Sequence, residues 1–310
     1  MYTEMPWFDD YLQICSLSHG YNGNVYLARK QDQKYAIKVL LFANKLSNKD
    51  KEKYNKYCEE FNLSHALQHK NIVRCYDTRI IKCSNSIYSD FSELCLIMEY
   101  CNNGNLEDYL NKYKSTINEA KAIEFLRQIC EGYKYLYDCH IMHRDMKTTN
   151  IVVHEQEDHS IILKITDFGE SKKMGGTQMT EEKTASLKGT PNYMAPEVLE
   201  GANKNYNYQS DIYSIGVIFY YMLFSTYPFI GENITDLLQN IQIGEIRFDT
   251  LSRKISKQSI TFILQCLQFD PTKRLHAGII LNHSVFKLQD RIPDDYIAGK
   301  IIQDNINRFQ

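Results

Sequence analysis

No Cys-x-x-Cys clip occurs in this chain. Its nine cysteines are scattered, the nearest pair being Cys95 and Cys101, and the count is odd. That excludes a disulfide frame and a four-cysteine zinc clip, and it predicts reduced thiols in a cytosolic setting. His140 and His143 lie three apart, but no further His or Cys sits at metal spacing, so a zinc site is not expected either. Charge of one sign is also lacking: the formal net charge is -2, which gives no overall basic field for nucleic acid or an acidic membrane. The opening residues run almost at once into patterned sequence without a cleavable apolar leader. One long stretch, residues 212–230, lacks charge altogether and is nearly long enough to cross a bilayer. Pro228 near its end, tyrosines throughout and Asp211 as a cap predict instead a helix apolar on all sides because protein surrounds it.

What is present is room for one large domain or two lobes, with a substantial core. From Tyr11 to Val39 short apolar alternation broken by glycine predicts strands in a hairpin. Gly20 and Gly23 allow a tight turn whose N–H groups could close over phosphates, although an ordinary hairpin turn needs the same residues. Lys38 stands between apolar neighbours on the next strand, where it is costly to bury unless it meets an anion; an edge-strand lysine would simply be solvated. Asn48 to Gln68 reads as a charged helix with Tyr54, Tyr57, Phe61 and Leu67 on one face. Leu94 to Met98 reads as a short buried strand running into a polar, glycine-ended segment. Leu106 to Tyr113 and Ile117 to Cys139 show helical periodicity.

The chemistry-bearing residues are concentrated downstream. His143-Arg144-Asp145-Met146-Lys147-Thr148-Thr149-Asn150 puts an acid, a cation and an amide in one short loop. A strand at Ile151 to Val153 follows, and a second at Ile161 to Ile165 ends in Thr166-Asp167-Phe168-Gly169. Beyond a polar stretch at 170–188 comes Gly189-Thr190-Pro191-Asn192-Tyr193-Met194-Ala195-Pro196-Glu197. Together with Lys38 these segments resemble the eukaryotic-type serine/threonine protein kinase family, with Met146 where leucine is usual. The resemblance covers roughly residues 8–288.

It implies an α+β, bilobal protein kinase fold: a small, mainly β amino-terminal lobe at 8–98 with one regulatory helix, a hinge at 99–104, a larger helical lobe at 105–288, and a tail at 289–310. ATP and Mg²⁺ are the implied cofactors. Asp145 would accept the proton of the substrate hydroxyl and Lys147 would neutralise the transferring phosphate, while Asn150 and Asp167 would hold the metal. Lys38 would hold the nucleotide phosphates and pair with Glu60, or with Glu59 in the other register. Leu17, Gly20, Gly23, Val25, Ala36, Met98, Glu99, Cys101 and Val152 would line the nucleotide, with the backbone of Glu99 and Cys101 on adenine. Arg144 implies control by phosphorylation, with Ser186 the first acceptor, Thr184 the second, and Lys172 and Lys56 beside Arg144. Lys147 with Thr190 implies serine/threonine acceptors. Asp211 would anchor the catalytic loop and Arg274 would pair with Glu197.

Within the family, Tyr227-Pro228-Phe229 and residues 231–241 look most like the autophagy-initiating branch. The implied partners are protein substrates with Ser/Thr acceptors and an activating kinase or regulatory protein, with no nucleic acid and no membrane span, in the cytoplasm. Ser18, Ser64 and Thr148 depart from the family pattern and support a different class, a catalytically silent pseudokinase scaffold. A small-molecule phosphotransferase is set apart by residues 189–197.

Overall fold

The structure is a computed structural model that describes residues 5–20, 23–43, 48–82, 91–113, 117–174, 191–201, 206–248 and 255–287. Thr184, Ser186 and Thr190 lie outside the described residues. The chain divides into two compact units, one of residues 1–104 and 152–170, the other of residues 105–151 and 171–310.

The first unit is built on an antiparallel sheet of strands β1 (Met5–Pro6), β2 (Leu12–Gly20), β3 (Gly23–Lys30), β4 (Gln33–Ala43), β5 (Cys75–Lys82) and β6 (Phe91–Glu99), in the order β1-β2-β3-β4-β6-β5. Alternation along β4 decides what each face meets, because successive side chains point to opposite sides. Leu40 and Phe42 pack with Tyr57 and Phe61 of helix α1 (Asn48–Ala66). Ile37 and Val39 join Tyr11, Ala28, Cys95 and Ile97 on the other face, where Trp7 and Phe8 also pack. Lys38 shares the parity of Leu40 and therefore points to the α1 side. Strand β6 is longer than its apolar stretch suggested, since Glu93 and Ser92 continue its pairing with Leu41 and Phe42.

Residues after 104 do not all belong to the second unit. The hairpin of β8 (Ile151–Glu155) and β9 (Ile161–Ile165) is bonded to the first unit through its backbone. Val153 N donates to Gly104 O at 2.8 Å, Val73 N to Ile165 O at 2.9 Å and Ile165 N to Asn71 O at 2.8 Å. The Asn71 amide adds a bond to Leu163 O at 2.9 Å. Backbone groups need partners wherever water is excluded, and these bonds make the hairpin part of the first unit.

The second unit is helical. Asn105 caps α2 (Leu106–Lys112) and Asn118 caps α3 (Glu119–Asp138), each accepting a backbone N–H with its side chain. Strands β7 (Ile141–Met142) and β10 (Lys172–Lys173) pair antiparallel. A short α4 (Pro196–Leu199) precedes α5 (Tyr208–Phe224), which starts in a capping box at Asn207 and Ser210. Helices α6 (Ile234–Ile243) and α7 (Lys257–Cys266) follow. Residues 212–224 of the uncharged stretch make up most of α5, which is buried along nearly its whole length and stops at Ser225, whose φ of 55° is left-handed; residues 225–230 lie beyond the helix. Among the described residues no helix is long and apolar enough to cross a membrane. The described cysteines are free thiols.

Residues 277–287 form a pair of 3₁₀ turns, Ala277–Asn282 and Ser284–Lys287. His276 and His283 each accept a backbone N–H two residues on, from Gly278 at 3.1 Å and Val285 at 3.0 Å. Such local side-chain bonds restart the turn in place of a continuous helix.

Candidate active site

In the first unit Lys38 is buried, with its ammonium 2.6 Å from Glu60 Oε1 and 3.0 Å from Asp167 Oδ1. Burial alone would lower its pKa, but Asp167 and Glu60 outweigh that and hold it above its ordinary value, so the lysine stays charged. Glu60 rather than Glu59 makes the pair; Glu59 is exposed. Glu60 follows Tyr57 by three and precedes Ser64 by four, so it lies on the buried stripe of α1. Ser64 Oγ turns back to Glu60 O at 2.8 Å, and Cys75 packs in the core beneath α1. Asp167 has a left-handed φ of 64°, a conformation a non-glycine residue keeps only when its surroundings impose it. Lys56 pairs with Glu170 at 2.8 Å, both half exposed.

The expected nucleotide-lining residues of this unit are spread over its strands. Val25 pairs with Lys38 across β3 and β4, and Ala36 with Met98 across β4 and β6. Leu17 is exposed, and Met98 and Val152 are half-buried. Glu99 spends its carboxylate on Lys164 at 3.0 Å and Arg74 N at 3.2 Å, and its own backbone N–H donates to Arg74 O at 2.9 Å. Burial pushes the Cys101 thiol up to about 12, so it stays protonated. Gly20 faces Gly23 at the end of the hairpin. Gly23 has a φ of 111°, and a Cβ there would stand 2.8 Å from Val39 O, so close strand packing demands this glycine independently of any ligand.

In the second unit the loop after β7 gathers Asp145, Lys147 and Asn150. Asp145 Oδ2 accepts from Lys147 Nζ at 2.7 Å and from Asn150 Nδ2 at 2.8 Å, and Asn150 Nδ2 also reaches Asp145 O at 2.9 Å. His143 is fully buried and accepts from Asp145 N at 3.3 Å. Asp211 fixes the start of the loop by accepting from His143 N and Arg144 N, both at 2.9 Å. The Tyr206 hydroxyl donates to it at 2.7 Å, and the Tyr133 hydroxyl shares its proton between Tyr208 O at 2.9 Å and Asp211 at 3.2 Å. Burial raises the Asp211 pKa, with His143 and these bonds opposing. Arg144 has a left-handed φ of 68°, and its guanidinium lies 5.2 Å above the Tyr206 ring. Lys172 stands exposed on β10.

Each unit carries one side chain with an oxygen of the kind a hard cation takes. Asn150 turns its amide nitrogen to Asp145, and its carbonyl oxygen is the atom such a cation takes. Asp167 keeps its carboxylate partly exposed, at 28 %. Among the described residues no three His, Cys, Asp or Glu side chains are grouped to hold a metal by themselves. Tyr206, Tyr193 and Glu107 were not singled out from sequence as working side chains. Tyr206 bonds Asp211 only five residues on, whereas Glu107 and Tyr193 meet Thr148 from 41 and 45 residues away, and only Tyr193 lies within a recognised motif.

Arg274 grips Glu197 through both terminal nitrogens at 2.7 Å, fixing α4 to the turn after α7. A buried lysine between two carboxylates, a catalytic loop tied down by a buried aspartate and this fork define the class. The chain matches the protein kinase domain over residues 11–286, and it belongs to that family.

Its relatives include Calcium-dependent protein kinase 5 of Plasmodium falciparum (isolate 3D7), 32 % identical over 87 % of this chain and 44 % of the relative. Serine/threonine-protein kinase atg1 of Dictyostelium discoideum is 31 % identical over 91 % of this chain and 40 % of its own length. Serine/threonine-protein kinase Nek5 of Homo sapiens is 28 % identical, covering 97 % and 39 %. The chain thus spans less than half the length of these curated relatives. Kinases with such different names match almost equally well, so identity does not single out the autophagy-initiating branch.

Proposed function

We propose that this chain is a serine/threonine protein kinase that transfers the γ-phosphate of ATP to hydroxyls of protein substrates with Mg²⁺ as the metal. The observation that carries this reading is the buried Lys38 ammonium held by Glu60 and Asp167, in a chain whose Asp145 is held by Lys147 and Asn150. Lys38 binds nucleotide phosphate as a point charge. Asp145 orients the acceptor hydroxyl and takes its proton, and Lys147 offsets charge on the phosphoryl group in flight. Asn150 and Asp167 are the residues assigned to Mg²⁺, which when bound supplies charge neutralisation on the phosphates.

The kinase domain is assigned to residues 8–288, and the setting to the cytoplasm, on the reduced cysteines. Regulation is assigned to a phosphate on Ser186, or on Thr184, read by Arg144 and Lys172; Arg144 must then leave the Tyr206 ring. Asp145→Asn tests the central claim. Turnover should fall by about 10² to 10⁴, the range for a positioned acid–base group, while ATP binding measured by calorimetry persists. Unchanged turnover would remove Asp145 from the reaction.

A further inference from the structure

We propose that Thr148 is a positioning residue that ties the catalytic loop to the segment Pro191–Tyr193, through a hydroxyl chain running from Tyr193 to Thr148 to Glu107. The proposal rests on the kinase reading above and adds a residue to its machinery. Thr148 is fully buried and opens the 3₁₀ turn Thr148–Asn150, where protein kinases commonly carry proline or alanine. Neither of those could make the bonds seen here. Thr148 Oγ1 lies 2.6 Å from Glu107 Oε2 and 2.6 Å from the Tyr193 hydroxyl.

The direction of each bond follows from counting protons. An ionised carboxylate can only accept, so the single hydroxyl proton of Thr148 goes to Glu107. The second short contact needs its own proton, which must then come from Tyr193. Burial keeps the Tyr193 phenol protonated by pushing its pKa above the ordinary value, and so it remains a donor. Every member is fixed from outside the chain. Glu107 sits in the first turn of α2. Tyr193 O accepts from Ser214 Oγ of α5 at 2.8 Å, and the Tyr193 ring meets Tyr227 edge-on at 5.4 Å. Within the turn, Asn150 N bonds Lys147 O at 3.0 Å. A shift of Tyr193 is therefore carried through one hydroxyl to the turn that bears Lys147 and Asn150. Thr148, which from sequence counted toward a silent scaffold, becomes a joint between the catalytic segment and Pro191–Tyr193, which on the kinase reading belongs to the segment that receives the protein substrate.

The test replaces Thr148 with isosteric valine, which keeps the shape and removes the hydroxyl, and with serine, which keeps the hydroxyl. Thr148→Val should lower kcat/KM for a Ser/Thr peptide on the order of tenfold, the size of a buried hydrogen bond left unmade. The loss should fall on the peptide KM while the ATP KM stays the same, and Thr148→Ser should restore it. Tyr193→Phe removes the other end, and the double variant should be no worse than Thr148→Val alone. Tyr193→Phe also carries the test if the valine variant does not fold. In parallel, exchange of the Met194 amide, bonded to Pro191 O at 3.0 Å, should quicken in Thr148→Val and not in Thr148→Ser. An unchanged peptide KM, an equal loss in ATP KM, or failure of serine to restore would overturn the proposal, as would unaltered Met194 exchange. If the native protein transfers no phosphate to any peptide, the kinase reading fails, and amide exchange alone then decides on the hydroxyl chain.

Discussion

Glu60 in the first unit and Glu197 in the second are both shielded from water, at 2 % and 10 % side-chain exposure, and each faces one buried basic residue. Their carboxyls nevertheless move in opposite directions. For Glu60, burial raises the pKa above the ordinary 4.5 and Lys38 only partly opposes it. For Glu197, burial pushes the same way, but bonds from Arg274 and Ser210 overcome it and the pKa falls. The difference lies in how completely each carboxylate is satisfied. Arg274 forks onto both oxygens of Glu197, and Ser210 Oγ adds a bond at 2.7 Å. Lys38 meets only Oε1 of Glu60, and Glu60 Oε2 is buried without a hydrogen-bond partner. A planar fork and a point charge are not equivalent partners for a carboxylate. Glu197 belongs to a fixed strut, whereas Lys38 and Glu60 form a pair that still has bonding capacity to offer.

Breaking the strut should have the largest effect. Arg274 also donates to Gln268 O at 2.7 Å and to Gln209 O and Phe269 O at 3.0 Å, so Arg274→Ala strands a buried carboxylate and several carbonyls. The expected loss is about 3–5 kcal/mol in denaturant unfolding; a loss below about 1 kcal/mol would mean that solvent fills the gap without cost. Arg274→Lys should recover only part of it, because an ammonium cannot fork.

The pH dependence sharpens the contrast. A carboxyl whose pKa is depressed by folding contributes stability above its unfolded value, and that stability is lost as pH falls through the folded value. Glu197→Gln should therefore flatten the acid-side fall in stability below about pH 4.5, the ordinary glutamate value. Glu60 has the opposite sign, since its cost appears as pH rises above 4.5 and is complete above its raised folded pKa. Glu60→Gln should remove a decline in stability on that side. An acid-side change from Glu60→Gln, in unfolding curves collected across pH, would reverse this assignment.

The smallest effect on stability should also come from Glu60→Gln. One acceptor is kept and Lys38 retains Asp167 as its counter-charge, so the free energy of unfolding should fall by less than in Arg274→Ala. Phosphate transfer should still drop, because Lys38 is left to Asp167 alone. Normal transfer by this variant would show that Glu60 does not position Lys38.

What could be read from the sequence depended on distance along the chain. Alternation on β4 and the 3.6-residue stripe of α1 are local, so the facing of Lys38 and the choice of Glu60 over Glu59 could be inferred from neighbours. Caps such as Asn105 and Asn118 are equally local, each an asparagine standing just before a helical period. Other features rest on bonds between remote residues. The grouping of residues 152–170 with the first unit depends on Asn71, 92 residues from Leu163. The hydroxyl chain joins Thr148 to residues 41 and 45 positions away; nothing in the octapeptide around Thr148 marks it as more than an unusual residue in a family motif. The turns at 277–287 depend on two histidine side chains that capture backbone groups a continuous helix would need.

Helix α5 bears on how the second unit comes into being. Its buried face runs all the way round, with Phe219 against Phe262 of α7 and Asp211 bonded to Tyr133 of α3. Half of its cover is thus made before it and half after it during synthesis. Until Phe262 has left the ribosome, the oiliest segment of the chain has no complete shelter. Assembly of this unit is a late event governed by closure of long loops, and the nascent helix is the part that a chaperone would have most reason to hold.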